Sequence, residues 1–193
     1  MDELTQILID ATRLIEPGYF KLAIDGDAPV YRERVYCYEL YHQMRLRWPK
    51  HSRYVLNGEV DKSGHHLLQL LKLDGFKPDF LIHRPGRMKD NFAIMEVKRH
   101  KAREEDIRKD LVALTQFVRK AKYQRAIYLV FGENAERTLR HVRRVACGMG
   151  CLAEIELWAH TQAGESARHV ETLPAKDVQA GKKAVSKKPG ATE

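Results

Sequence analysis

Leu4, Ile7, Leu8, Ala11, Leu14 and Ile15 recur at the spacing of one helix face, and Pro17-Gly18 predicts where that helix stops. A second helix is predicted over residues 31–48, closed by Pro49, because the residue before a proline is pushed out of the helical region. The period then changes. Tyr54–Asp61, Pro78–Arg84 and Asn91–Arg99 are short runs rich in Val, Ile, Leu and Phe, bounded by turn residues, and predict three strands. Ile107, Leu111, Leu114 and Val118 restore the helical period over about 103–122. Ala126–Phe131 predicts a buried strand stopped by Gly132, Leu139, Val142, Val145 and Ala146 another helix, and Ala153–Trp158 a last strand. Residues 62–76 fit neither period, and Leu67–Leu73 is either a short helix or an insertion.

The order is helix, helix, three strands, helix, strand, helix, strand. It predicts an α/β fold whose mixed β-sheet carries helices on both faces. From Ala175 onward the residues are mainly Ala, Gly, Lys, Ser and Pro, which cannot bury enough surface to offset their ordering entropy. The expectation is a single domain over 1–174 and a disordered basic tail over 175–193.

Charge narrows the partners. Lys and Arg number 34 against 26 Asp and Glu, a net +8, and the five lysines and two acids of the tail account for the smaller part of it. A polyanion therefore suits this chain better than a cationic partner. No apolar run approaches the ~20 residues of a bilayer-spanning helix, and the first fifteen residues lack the basic start of a signal peptide. Three cysteines cannot all pair, which predicts a reduced, cytoplasmic protein.

The chemistry concentrates in Pro78-Asp79-Phe80-Leu81-Ile82-His83 and Phe92-Ala93-Ile94-Met95-Glu96-Val97-Lys98. Pro85-Gly86 and Asp90-Asn91 bracket a polar connection, so the two runs predict a β-hairpin. If Arg84 faces Asn91, Asp79 faces Glu96, and directly opposed residues hold their Cβ atoms ~5 Å apart. Glu96 and Lys98 share one face of their strand. Two adjacent carboxylates beside an ammonium repel and desolvate one another unless a dication joins them. Oxygen ligands suit Mg²⁺ (or Mn²⁺), with Lys98 free to orient or deprotonate a water.

Pro78-Asp79 and Glu96-Val97-Lys98, set in this order of elements, resemble the PD-(D/E)xK nuclease superfamily over roughly residues 31–132. The resemblance implies a restriction-endonuclease-like core in which Asp79 and Glu96 bind the metal, with the main-chain carbonyl of Val97. It also implies a third acid, often a glutamate from the preceding helix: Glu39 is the candidate, a carboxylate among aromatic neighbours that is either a ligand or a structural partner of Arg32, Arg34 or Arg45, and Glu59 on the neighbouring strand is the rival. It implies a metal-dependent nuclease acting on nucleic acid, DNA before RNA, and it allows a homodimer. The alternatives are a non-catalytic nucleic-acid-binding module and an interaction scaffold.

Other positions are weighed against plainer roles. Asp110 lies about 60° from the centre of its helix's apolar stripe, a boundary position that could face the site. His65, His66 and His83 are loop histidines without further ligands at zinc spacing, and Cys147 and Cys151 have no second pair. Arg32, Arg34, Arg45, Arg47, Lys50 and Arg53 in residues 31–53, with Arg84, Arg87 and Lys89 in the hairpin connection, form a phosphate track if they flank the acids. Arg137, Arg140 and Arg144 form a solvated stripe opposite an apolar helix face.

Overall fold

The computed structural model describes residues 3–59, 71–73 and 75–177. Helix α1 (Glu3–Arg13) and the single turn α2 (Pro17–Phe20) lead into a small hairpin of β1 (Leu22–Ile24) and β2 (Asp27–Val30). Then follow α3 (Glu33–Leu46), β3 (Val55–Asn57), β4 (Phe80–His83), β5 (Asn91–Arg99), α4 (Glu104–Ala121), β6 (Arg125–Phe131), α5 (Ala135–Cys147), β7 (Ile155–His160) and β8 (Arg168–Leu173). Strands β3 to β8 form one six-stranded sheet in chain order. The sheet is mixed: β5, β6 and β7 run parallel, and β3–β4, β4–β5 and β7–β8 pair antiparallel.

The crossovers β5–α4–β6 and β6–α5–β7 step across the sheet in one direction, so right-handed connections put both helices on one face. There Ile107, Leu111, Leu114, Leu139 and Val142 pack on Leu81, Ile94, Tyr128, Val130 and Leu157. On the other face Leu4, Leu8, Tyr36, Leu40 and Met44 cover Phe80, Ile82, Met95, Val97, Leu129 and Phe131. A sheet covered on both sides explains why β5 and β6 are near-continuous apolar runs. It also makes the charged residues of β5 conspicuous.

Two elements of the structure lie outside the predicted order. The β1–β2 hairpin turns through Gly26 at φ +71, in a segment too polar and short to announce a strand. Edge strand β8 is mostly exposed and mostly polar, so it carries no buried apolar run. The folded body also extends past the expected boundary at 174. Lys176 and Leu152 exchange backbone hydrogen bonds of 2.8 and 3.0 Å, and Arg119 donates to Asp177 at 2.8 Å. Lys176 Nζ donates to the carbonyl oxygens of Ala146 and Cys147, where a cation satisfies the end of α5. The remainder of the predicted tail, 178–193, lies outside the described residues, as do Leu67–Gln69, Leu70, His65 and His66. No helix among the described residues is long and apolar enough to cross a membrane.

The β4–β5 register decides where the acids meet. Phe80 pairs with Met95, Leu81 with Ile94 and Ile82 with Ala93, as expected. A bulge then sets His83, instead of Arg84, opposite Asn91. The irregularity is confined to the loop end, so the register at the other end is untouched.

Candidate active site

Asp79 immediately precedes β4, and its Oδ2 accepts a 2.7 Å hydrogen bond from the main-chain N–H of Val97. That bond fixes the Asp79 carboxylate against β5, within hydrogen-bonding reach of Glu96. Glu96 is only 5% exposed. Lys98, two residues along the same strand face, extends its Nζ to Glu33 Oε1 at 2.9 Å and to Asp110 Oδ2 at 3.5 Å. Tyr128 Oη donates to Asp110 at 3.4 Å from the neighbouring strand. Glu33 sits in the first turn of α3, where a carboxylate complements the partial positive charge of the helix end.

Asp79, Glu96, Lys98, Asp110 and Glu33 form the floor of a cavity of about 660 Å³ between α3 and α4. One wall is the α3 face made by Arg34, Cys37, Tyr38 and Tyr41; the other includes Phe76, Lys77, Lys109 and Ala113, and Glu59 stands at the edge, 3.3 Å from Arg34.

Crowding of like charge in a buried place sets the protonation. Burial pushes the Asp79 carboxyl up to about 6, even though the Val97 N–H and Lys98 pull it down. Burial also lifts Asp110 to about 7 against the attraction of Lys98. Glu96 is raised furthest above the carboxylate range, by burial and then by Asp79 and Asp110. The shared hydrogen bond lowers Asp79 and raises Glu96, so Glu96 holds the proton between them. For Lys98, burial alone favours the neutral amine, but Asp110 and Glu33 outweigh it and hold the ammonium above its ordinary range.

The structure thus joins Asp79, Glu96 and Lys98 and adds Asp110, which the sequence had placed at a boundary. Glu33 was missed. The other expected residues go elsewhere. Glu39 is 9% exposed and accepts a 2.6 Å hydrogen bond from Gln43; at 100° per residue it points about 150° away from the cavity wall. Arg47 is tied back to the Gln43 carbonyl at 2.7 Å, and neither it nor Arg45 lines the cavity. Arg84, Arg87 and Lys89 lie beyond the far end of β4, roughly 13 Å of strand from Asp79, and Arg84 pairs with Asp90 at 3.5 Å. Of the predicted basic cluster Arg34 does line the cavity, and Lys77 and Lys109 join it beside the acids. His83 is held by Asn57 at 2.8 Å. Searches against family models, curated proteins and solved structures found no match to this chain.

Among the described residues, no three or more His, Cys, Asp or Glu side chains are gathered closely enough to hold a metal ion. Two carboxylates sharing one proton are still a donor set that fits Mg²⁺ or Mn²⁺, because hard dications of this kind take one or two carboxylates and complete their shell with water and phosphate oxygens. The set does not fit tetrahedral zinc.

The raised carboxyls make a stability prediction. A carboxyl whose folded pKa exceeds its unfolded value adds stability that is complete below the unfolded pKa and is lost as pH rises through the folded one. For Asp79 and Asp110 that window runs from about 4 up through about 6 and about 7. His160, held near 4 by burial, works in the opposite sense at lower pH, so the clean comparison lies above pH 6.5. Without dication, thermal unfolding is expected to fall by several degrees between pH 6.5 and 8.5, and Mg²⁺ should raise Tm more at pH 8.5. A Tm that rises over this interval, or a Mg²⁺ effect that shrinks with pH, contradicts the assignment.

Proposed function

We propose that the protein is a metal-dependent phosphodiesterase acting on nucleic acid, DNA before RNA, with a site resembling that of PD-(D/E)xK nucleases. The observation that carries this reading is the Asp79–Glu96 carboxyl pair beside Lys98 at the floor of a cavity edged by cations. A simple folding role is a poor account of it, because an apolar pair would fill the same place without the desolvation cost.

Asp79 and Glu96 would hold Mg²⁺ or Mn²⁺, which supplies Lewis acidity toward a phosphoryl oxygen and makes a bound water more acidic. The chain's own groups do the rest. Val97 N–H keeps the Asp79 carboxylate turned into the cavity. Lys98, kept charged by Asp110 and Glu33, acts as a cation that orients the attacking water and offsets the charge that develops on the phosphoryl oxygens. The same clamp argues against Lys98 as the group that deprotonates water. Asp110, raised to about 7, is suited to take up a proton near neutrality. Arg34, Lys77 and Lys109 would guide the phosphate backbone to the cavity mouth.

Titration calorimetry with Mn²⁺ at pH 8 tests the site without a chosen substrate. Wild type is expected to bind, and Asp79→Asn to bind at least tenfold more weakly, because one anionic ligand is lost. Carboxylates must shed protons to bind metal, so the wild-type affinity should drop as pH falls through 7 to 6. Equal binding by the two proteins, or no binding by wild type, defeats the proposal. Oligonucleotide binding without hydrolysis in any dication would favour the non-catalytic module.

A further inference from the structure

Tyr38 is 65% exposed, although it belongs to an aromatic-rich helix whose neighbouring Tyr36 is fully buried. Its place in the cavity wall makes this exposure informative, since isolated apolar side chains on an open surface are ordinary. On the same wall Tyr41 is committed to the fold: its hydroxyl donates to the Leu56 carbonyl at 3.4 Å, and its ring lies parallel to Phe80. Among the described residues Tyr38 makes no hydrogen bond and no ring contact. The cavity therefore presents one open aromatic face, with Phe76 also in its lining, above acids suited to a metal-bound phosphate and next to Arg34, Lys77 and Lys109.

Aromatic faces beside a cationic backbone track are how proteins hold unpaired bases, because every base has a π-face and stacking tolerates any sequence. Inside a duplex those faces are already covered by neighbouring pairs. A base can meet Tyr38 only when it is unpaired. The cavity volume is also that of a pocket for one small ligand, so it takes a stretch of single strand more readily than a paired helix.

We infer that Tyr38 forms a base-stacking subsite, and that the site takes single-stranded nucleic acid in preference to intact duplex. This inference rests on the phosphodiesterase reading and narrows its substrate.

Fluorescence anisotropy tests it, with a labelled oligonucleotide of mixed sequence offered single-stranded and annealed to its complement. Ca²⁺ serves as the oxygen-seeking dication. Wild type is expected to bind the single strand more tightly. Tyr38→Ala, at an exposed position, should weaken single-strand binding roughly tenfold and leave duplex binding unchanged, while Tyr38→Phe keeps wild-type affinity because the ring does the stacking. Unchanged single-strand affinity in Tyr38→Ala, equal losses in the Ala and Phe variants, or duplex binding as tight as single-strand binding overturns the subsite and leaves the phosphodiesterase reading standing. Failure of both oligonucleotide forms to bind overturns both.

Discussion

Lys98→Met is expected to lose Mg²⁺-dependent cleavage by roughly 10²–10³-fold, the loss typical of removing one preorganised charge from a developing oxyanion. Methionine keeps the length and apolar stem of lysine, so the change removes little besides the ammonium. The same substitution has a separate effect on stability. Glu33 and Asp110 both point at Lys98, at 2.9 and 3.5 Å, and Glu96 and Asp79 lie within its field. Without it these acids share a buried place with no cation, and removing one partner of such a pair costs on the order of 3 kcal/mol. The penalty requires the acids to be charged. It should be largest at pH 8.5 without dication and should shrink at pH 5.5, where Asp79 and Asp110 are protonated in both proteins. Melting curves at the two pH values, with and without Mg²⁺, read this directly. Undiminished cleavage would remove Lys98 from the chemistry, and a pH-independent loss of Tm would mean the acids do not depend on it.

Much of this centre was legible in the chain because it lies on one hairpin. Alternation along β5 put Glu96 and Lys98 on one face, and the polar connection fixed which residues of β4 oppose them. The predicted register holds even though the loop differs, because the bulge at His83 sits at the turn and never reaches Asp79. Glu33 and Asp110 were harder to see. They approach Lys98 only because α3 and α4 dock on opposite sides of β5, a relation that no local spacing encodes. Glu39 misled for a complementary reason: its aromatic sequence neighbours suggest a stranded charge, but Gln43, one helical turn later, satisfies it. The basic residues of the hairpin connection are close to both acids along the chain and far from them in space, since a strand separates the two ends. Strand β8 was invisible because exposed edge strands need no apolar run.

Gly132→Ala is expected to be the most destabilising single-methyl change in the protein, by about 3–5 kcal/mol, from backbone strain and overpacking together. Gly132 ends β6 at φ +113, a conformation glycine adopts freely and alanine does not. Space compounds the strain, because a Cβ there would lie 2.0 Å from His100 Nδ1. The imidazole cannot swing aside easily. The His100 backbone is pinned by its main-chain N–H, which donates to the Phe131 carbonyl at 2.8 Å, and its buried ring packs edge-on against Tyr31 at 4.4 Å. The Gly132 N–H is also committed, to the His160 carbonyl at 2.9 Å, so the ends of β5, β6 and β7 are stitched at this point. Tm should fall by roughly 10 °C. Adding His100→Ala should recover the steric part and leave the backbone part, making the double variant more stable than the sum of the two single losses. This junction packs with the α3 side of the sheet while Asp79, Glu96 and Lys98 face the α4 side. Mn²⁺ binding well below the transition should therefore match wild type. A Gly132→Ala protein that melts with wild type would show that His100 does not occupy the space assigned to it.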